Sequence, residues 1–177
     1  MTDVDPRYPI GRFAAPERVD ALLRASFVEQ IAAAPAALRS AVHGLTATQL
    51  DTPYRDGGWT VRQVVHHLPD SHLNAYVRFK LALTEDSPTI KTYEEALWAE
   101  LPEAKRGDVA ISLALLEALH ARWVAALRTA PAEAFARTLK HPEHGLMPID
   151  RLIALYAWHG RHHVAHITTL RKHRGWA

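Results

Sequence analysis

Apolar residues recur every three to four positions along most of the chain, the period of an amphipathic helix. Val19, Leu22, Leu23, Phe27 and Ile31 form one stripe, which Leu38, Val42 and Leu45 resume beyond Pro35. A helix is predicted near 17–44, kinked or restarted at Pro35 because proline lacks the N–H a helix uses. Thr52-Pro53-Tyr54-Arg55-Asp56-Gly57-Gly58 breaks the pattern as a loop. Thr60 is the predicted cap of a second helix near 60–84, carried by Val61, Val64, Val65, Leu68, Tyr76, Phe79 and Leu83. Its periodicity runs past Pro69, which predicts a bend and not a stop. Residues 84–111 are mixed, with one short helix expected around 93–101. Ser112 is the expected cap of a third helix near 112–129, with Leu113, Leu116, Leu119, Trp123 and Leu127 on its apolar face. Short runs on either side of Pro142-Glu143-His144-Gly145 predict a minor hairpin over 137–149. Asp150 is the expected cap of a fourth helix, near 150–172, with Leu152, Leu155, Tyr156, Ile167 and Leu170 inward. Residues 1–15, with Pro6, Pro9 and Gly11 between Tyr8, Ile10 and Phe13, read as an extended arm over the core.

Four such helices in one chain predict a single all-α domain over 1–177, a four-helix bundle. The long connection between helices 2 and 3 permits an overhand crossover. A length of 177 residues with 48% hydrophobic and 23% charged residues is that of a globular domain and argues against disorder. There is no Cys, which excludes disulfides, a thiolate nucleophile and Cys-ligated metal. A formal charge of +2 without a basic run argues against nucleic acid as a partner. No run approaches the ~18 consecutive apolar residues of a membrane span. Met1-Thr2-Asp3-Val4-Asp5-Pro6 lacks the basic and apolar regions of a signal peptide. A cytoplasmic protein away from the membrane is the expectation.

The outlying figure is 12 histidines. Trp158-His159-Gly160-Arg161-His162-His163-Val164-Ala165-His166 places His159 and His163 at i, i+4, with His162 and His166 as a second such pair. At 100° per residue, His159 and His163 lie within about 20° of the line through Leu152 and Leu170, in the buried stripe. His166 is marginal and His162 flanking. Buried, unpaired imidazoles are costly, and a divalent cation relieves that cost by accepting both lone pairs. HExxH zinc helices use the same spacing, but no Glu stands between this pair. The alternative is core histidines bonded to carbonyls. A third ligand would come from the second helix, which offers His66, His67 and His72. His72 shares the face of Leu68 and Phe79. His67 shares a polar stripe with Ser71, Asn74 and Arg78, which suits a site wall or a solvated face. Periodicity leaves the choice open.

The run from Asp51 to His67, including Gly57-Gly58-Trp59-Thr60-Val61-Arg62-Gln63, resembles the YfiT-like branch of the DinB superfamily. So do Tyr8-Pro9-Ile10-Gly11, Asn74-Ala75-Tyr76-Val77-Arg78-Phe79-Lys80, and Tyr156-Ala157-Trp158-His159 through Ile167. The likeness spans nearly the whole chain. It implies an up-down-down-up bundle holding one divalent metal on His67, His159 and His163. Zn²⁺ is expected first and Ni²⁺ next. Members of this branch carry a generic metal-dependent hydrolase label, while others in the superfamily transfer small thiols such as bacillithiol or mycothiol. The expected activity is therefore metal-dependent transfer of a small thiol to an electrophile. Hydrolysis is the alternative, and a non-catalytic metal-binding bundle the second alternative. With no Cys, any thiol must arrive as a cosubstrate. Arg78 and Asn74 are expected to bind a substrate carboxylate, Ser71, Asn74 and Arg78 to form the cofactor-binding wall, and His166 to move a proton or support a ligand. A small-molecule substrate follows. A homodimer is expected from the resemblance and from the partly apolar faces of Trp98, Trp158 and Trp176.

Overall fold

A computed structural model describes residues 5–176; the arm's first four residues and Ala177 lie outside the described residues. Four long helices dominate: α1 (Ala21–Val42), α3 (Val61–Thr84), α6 (Val109–Thr129) and α7 (Ile149–Arg174). Short helices α2 (Ala47–Leu50), α4 (Glu95–Ala99) and α5 (Pro102–Arg106) occupy the connections. A 3₁₀ turn at Ala132–Ala136 leads into strands β1 (Thr138–His141) and β2 (Gly145–Pro148). These pair antiparallel in the register Leu139↔Met147, which turns both side chains into the core and Lys140 and Leu146 outward.

Local chemistry explains most boundaries. Asp20 accepts from Leu23 N and starts α1 four residues later than the apolar pattern suggested, leaving Leu22 on the surface at 83% exposed. Thr60 and Gln63 form a reciprocal capping box at α3. Thr46 and Gln49 do the same for α2, an element the periodicity did not foresee. Both prolines lie within continuous helices, Pro35 in α1 and Pro69 in α3. Two expected caps are corrected. Asp108, not Ser112, caps α6 by accepting from Ala110 N, so α6 starts three residues earlier. Pro148, not Asp150, occupies the N-cap of α7. Asp150 instead forms a two-pronged ion pair with Arg24 of α1 at 2.7 and 2.8 Å, and Ser112 is buried against His66.

Interhelical contacts define the helix directions. Arg24 meets Asp150 and Ala41 meets Arg171, so α1 and α7 run parallel. Glu29 meets Arg128 and Arg39 meets Glu117, so α6 runs against α1. His66 meets Ser112 and His72 meets His120, so α3 runs with α6. The order is up-down-down-up, and residues 85–108 form the crossover that parallel neighbours require. α1 and α6 have the length and mean hydropathy of membrane spans, and both are packed in the bundle.

Two apolar clusters fill the interior. One contains Ile31, Phe79, Trp123, Leu139, Met147 and Ile153. The other contains Leu38, Val64, Leu68, Leu116, Ile167 and Leu170. Between them lies a layer of buried histidines. Trp158 stacks on His162 at 4.3 Å and Trp176 packs on the second cluster, which leaves Trp98, 40% exposed, as the most open of the three tryptophans read as outer faces.

Candidate metal centre

The antiparallel seam of α3 and α7 brings together His67, His159 and His163. His67 Nε2 lies 3.4 Å from His159 Nε2, and His163 Nε2 lies 3.2 Å from the same atom. The three donor atoms all fall within 4.8 Å of one another. His67 and His163 are buried, while His159 keeps some surface at a cavity wall. Trp59, the residue before the α3 cap, lays its ring 4.7 Å from His67 and 6.4 Å from His163, covering the group from the loop side.

Burial holds all three imidazoles neutral. It pushes His67 down to about 4, aided by His162 and His166. His159 and His163 fall well below the usual histidine range, both first by burial, then His159 through His67 and His163 through His159 and His67. Among the described residues, the neighbours that add to these shifts are other imidazoles. Neutral imidazole is the ligating form. Zn–N bonds of about 2.0–2.1 Å at tetrahedral angles set nitrogens about 3.4 Å apart, which the 3.4 and 3.2 Å separations match, so the three imidazoles would suit a divalent ion.

A cavity of about 410 Å³ adjoins His159. Ser71, Arg78 and Tyr156 line it from the bundle, Tyr93 and Glu95 from the crossover, and His141, Glu143 and His144 from the hairpin turn. The polar stripe of α3 is thus turned inward: Ser71 and Arg78 are both buried. Arg78 donates to Lys91 O at 2.9 Å, which fixes its guanidinium beside Glu95, whose carboxyl burial pushes up. Asn74 departs from the expected wall. It is absent from the cavity lining, and its amide donates back to Asp70 O at 2.9 Å.

His166 also stands apart from the cavity, with its ring stacked on Tyr54 at 4.0 Å. Both its nitrogens are engaged, Nε2 with Arg7 O at 3.2 Å and Nδ1 with His163 Nδ1 at 3.3 Å. This geometry supports His163 and leaves no free nitrogen for a substrate proton. His72 is not in the triangle; it lies behind His159 and against His120. Sequence reasoning missed His120, although it falls in register with Leu113, Leu116, Trp123 and Leu127 on α6. It also missed the hairpin histidines, which no periodicity places near α3.

Fold and site together define a histidine-rich metal-binding four-helix bundle. The DinB superfamily profile matches residues 30–167, and the chain belongs to that superfamily. It is 48% identical to YfiT of Bacillus subtilis (strain 168) over the whole of both chains, and YfiT bears the provisional name of metal-dependent hydrolase. A similarly named protein of Bacillus cereus (strain 03BB102) is 52% identical over 97% of this chain and 99% of its own. The solved structure of YfiT, described as "a probable metal-dependent hydrolase with an unusual four-helix bundle topology", superposes with a TM-score of 0.96 at 47% identity, covering 98% of this chain and all of that one. A second four-helix bundle protein, TT2238, shares the fold at a TM-score of 0.55 and 20% identity.

Proposed function

We propose that the chain is a mononuclear metal-dependent enzyme whose centre is His67, His159 and His163, and that it transfers a small thiol to an electrophile. The observation that carries the metal-dependent reading is the convergence of three neutral Nε2 atoms beside a polar cavity. A divalent ion held by three imidazoles supplies Lewis acidity and lowers the pKa of a water or thiol that it binds. Glu95 and Glu143 line the adjoining cavity as bases for a bound water, while three imidazole ligands serve a bound thiol equally well. Water activation gains from an adjacent general base, whereas a coordinating thiol loses its proton outright.

The chain's own residues then have distinct tasks. Arg78, anchored on Lys91 O, presents the remaining guanidinium donors to a carboxylate of the thiol or of the acceptor. Ser71 and Tyr156 offer hydroxyls from the same wall. Trp59 shields the ligand rings from the loop side. In the transfer a sulfur–carbon bond forms, the bond from that carbon to the leaving group breaks with its electron pair, and the thiol proton passes to solvent. A reducing, cytoplasmic setting suits a thiol cosubstrate. Hydrolysis is the second reading, favoured by the names of the Bacillus relatives.

The test runs both chemistries on Zn²⁺- and Ni²⁺-loaded protein. Bacillithiol, mycothiol, glutathione and cysteine are each offered with a chromogenic electrophile, beside esters, amides and lactones without thiol. Conjugation that disappears in His163→Ala supports transfer. Turnover of a hydrolysable substrate, with no conjugation by any thiol, replaces it with hydrolysis. Metal analysis should find about one ion per chain, lost in His67→Ala, His159→Ala and His163→Ala and retained in His162→Ala. Full retention in all three ligand variants would end the metal reading.

A further inference from the structure

His72 and His120 are more deeply buried than the candidate ligands, at 0% and 1% exposed, and the proposed chemistry does not use them. They form a continuous chain of contacts. His159 Nδ1 lies 3.2 Å from His72 Nε2, His72 Nδ1 lies 2.8 Å from His120 Nε2, and His120 Nδ1 lies 2.6 Å from Ile31 O.

The far end of this chain only accepts. Pro35 has no N–H, so the Ile31 carbonyl four residues earlier in α1 lacks its helical donor. His120 supplies the donor instead, so its proton is on Nδ1. A neutral imidazole protonated there has a bare Nε2. His72 must therefore donate to it through Nδ1–H, which leaves His72 Nε2 bare. His159 must in turn donate through Nδ1–H, and its own Nε2 faces the triangle as a lone pair.

The same logic runs through α7 and the N-terminal arm. The Arg7 carbonyl accepts, so His166 carries its proton on Nε2. His166 Nδ1 is then bare and accepts from His163 Nδ1–H, so His163 Nε2 is bare too. Reversing either chain would set two lone pairs face to face at its carbonyl end. With both chains in place, the 3.2 Å between His159 Nε2 and His163 Nε2 contains no proton.

We propose that these two chains are tautomer locks, in which the Ile31 carbonyl acts through His120 and His72, and the Arg7 carbonyl through His166, to hold two Nε2 lone pairs on one point. His72, His120 and His166 are then positioning residues, not ligands. The proposal rests on the metal reading above. Partners that orient a ligating imidazole typically contribute 10- to 100-fold to metal affinity.

The experiment compares Zn²⁺ affinity, by competition with a chelating dye, in the wild type, His120→Leu and His120→Gln. It adds ring-nitrogen NMR of the metal-free wild type. Leucine keeps bulk and deletes the chain, so binding should weaken about 10- to 100-fold. Glutamine can donate to Ile31 O and accept from His72, so it should recover most of that loss. NMR should show Nδ1–H at His72, His120 and His159 and Nε2–H at His166. Unchanged affinity in a folded His120→Leu protein, equal losses in both variants, or Nε2–H at His72 or His120 would overturn the lock. Failure of the metal reading looks different: the wild type itself would bind no Zn²⁺, and the tautomers would still decide the lock.

Discussion

Each histidine in a core has two ring nitrogens to satisfy, and how they are satisfied separates the neighbours His66 and His67. His66 spends both, accepting from Ser112 Oγ at 2.7 Å and donating to Gly107 O at 3.3 Å, so nothing remains for a ligand. His67, about 100° further round α3, points Nε2 at His159. The sequence shows that all three histidines of α3 are ligand candidates; it does not show which has a lone pair to spare, because that depends on groups 41 to 92 positions away. Asp70, one turn beyond His67, offers a separate test. Burial, with Glu103 adding to it, pushes its carboxyl up to about 6. A folded-state value above the unfolded value of about 3.9 means that ionisation opposes folding at neutral pH. Asp70→Asn should therefore raise the urea midpoint at pH 7.5, with the gain shrinking as pH falls from about 6 towards 4. A midpoint equal to or below the wild type at pH 7.5 would count against this.

At the scale of elements, the period and the Thr60 cap were legible, and the other helix starts were settled by packing. Ser112 and Asp150 have the right side chains for caps, but His66 and Arg24 engage them, so Asp108 and Pro148 stand at the helix starts instead. Pro35, read as a kink or a new start, and Pro69, read as a bend, do not end their helices, and Pro35 leaves the Ile31 carbonyl to α6. Gly160 shows a further constraint that the helix pattern does not carry. A Cβ there would lie 3.1 Å from Ala34 Cβ and 3.7 Å from His72 Cε1, so α7 approaches α1 closely at the residue next to His159. Valine at this point overpacks the seam. Gly160→Val should cost about 1–3 kcal/mol and weaken Zn²⁺ binding with it, since α7 carries two of the three ligands. Thermal unfolding and dye competition measure the two effects; wild-type values in both would show that the seam yields freely.

The whole molecule is a bundle whose apolar interior is interrupted by a neutral histidine layer, and that layer sets its response to acid. His67, His120 and His162 are pushed down to about 4, and His72, His159 and His163 well below the usual range, by burial first in every case. The unfolded chain takes up these protons near pH 6.5 and the folded one does not, so stability is full above about 6.5 and is lost as pH falls towards 4. The urea midpoint of the metal-free protein should drop between pH 7.5 and 5, with a slope of more than one proton per chain; a flat midpoint would contradict the burial of the layer. By itself the sequence determined the four helices, the crossover that a long connection permits, the hairpin, and the i, i+4 pair on the buried face of α7, because each follows from local period or composition. The recruitment of His120, the use of Ile31 O and Arg7 O, the departure of Asn74 and the hairpin wall of the cavity were decided only by tertiary structure, which also gives the physical reason for His67 over His72, a choice that periodicity left open and only the family resemblance named. Periodicity places a side chain on a face of its own helix, whereas the partner of each ring nitrogen comes from a different helix or from the arm.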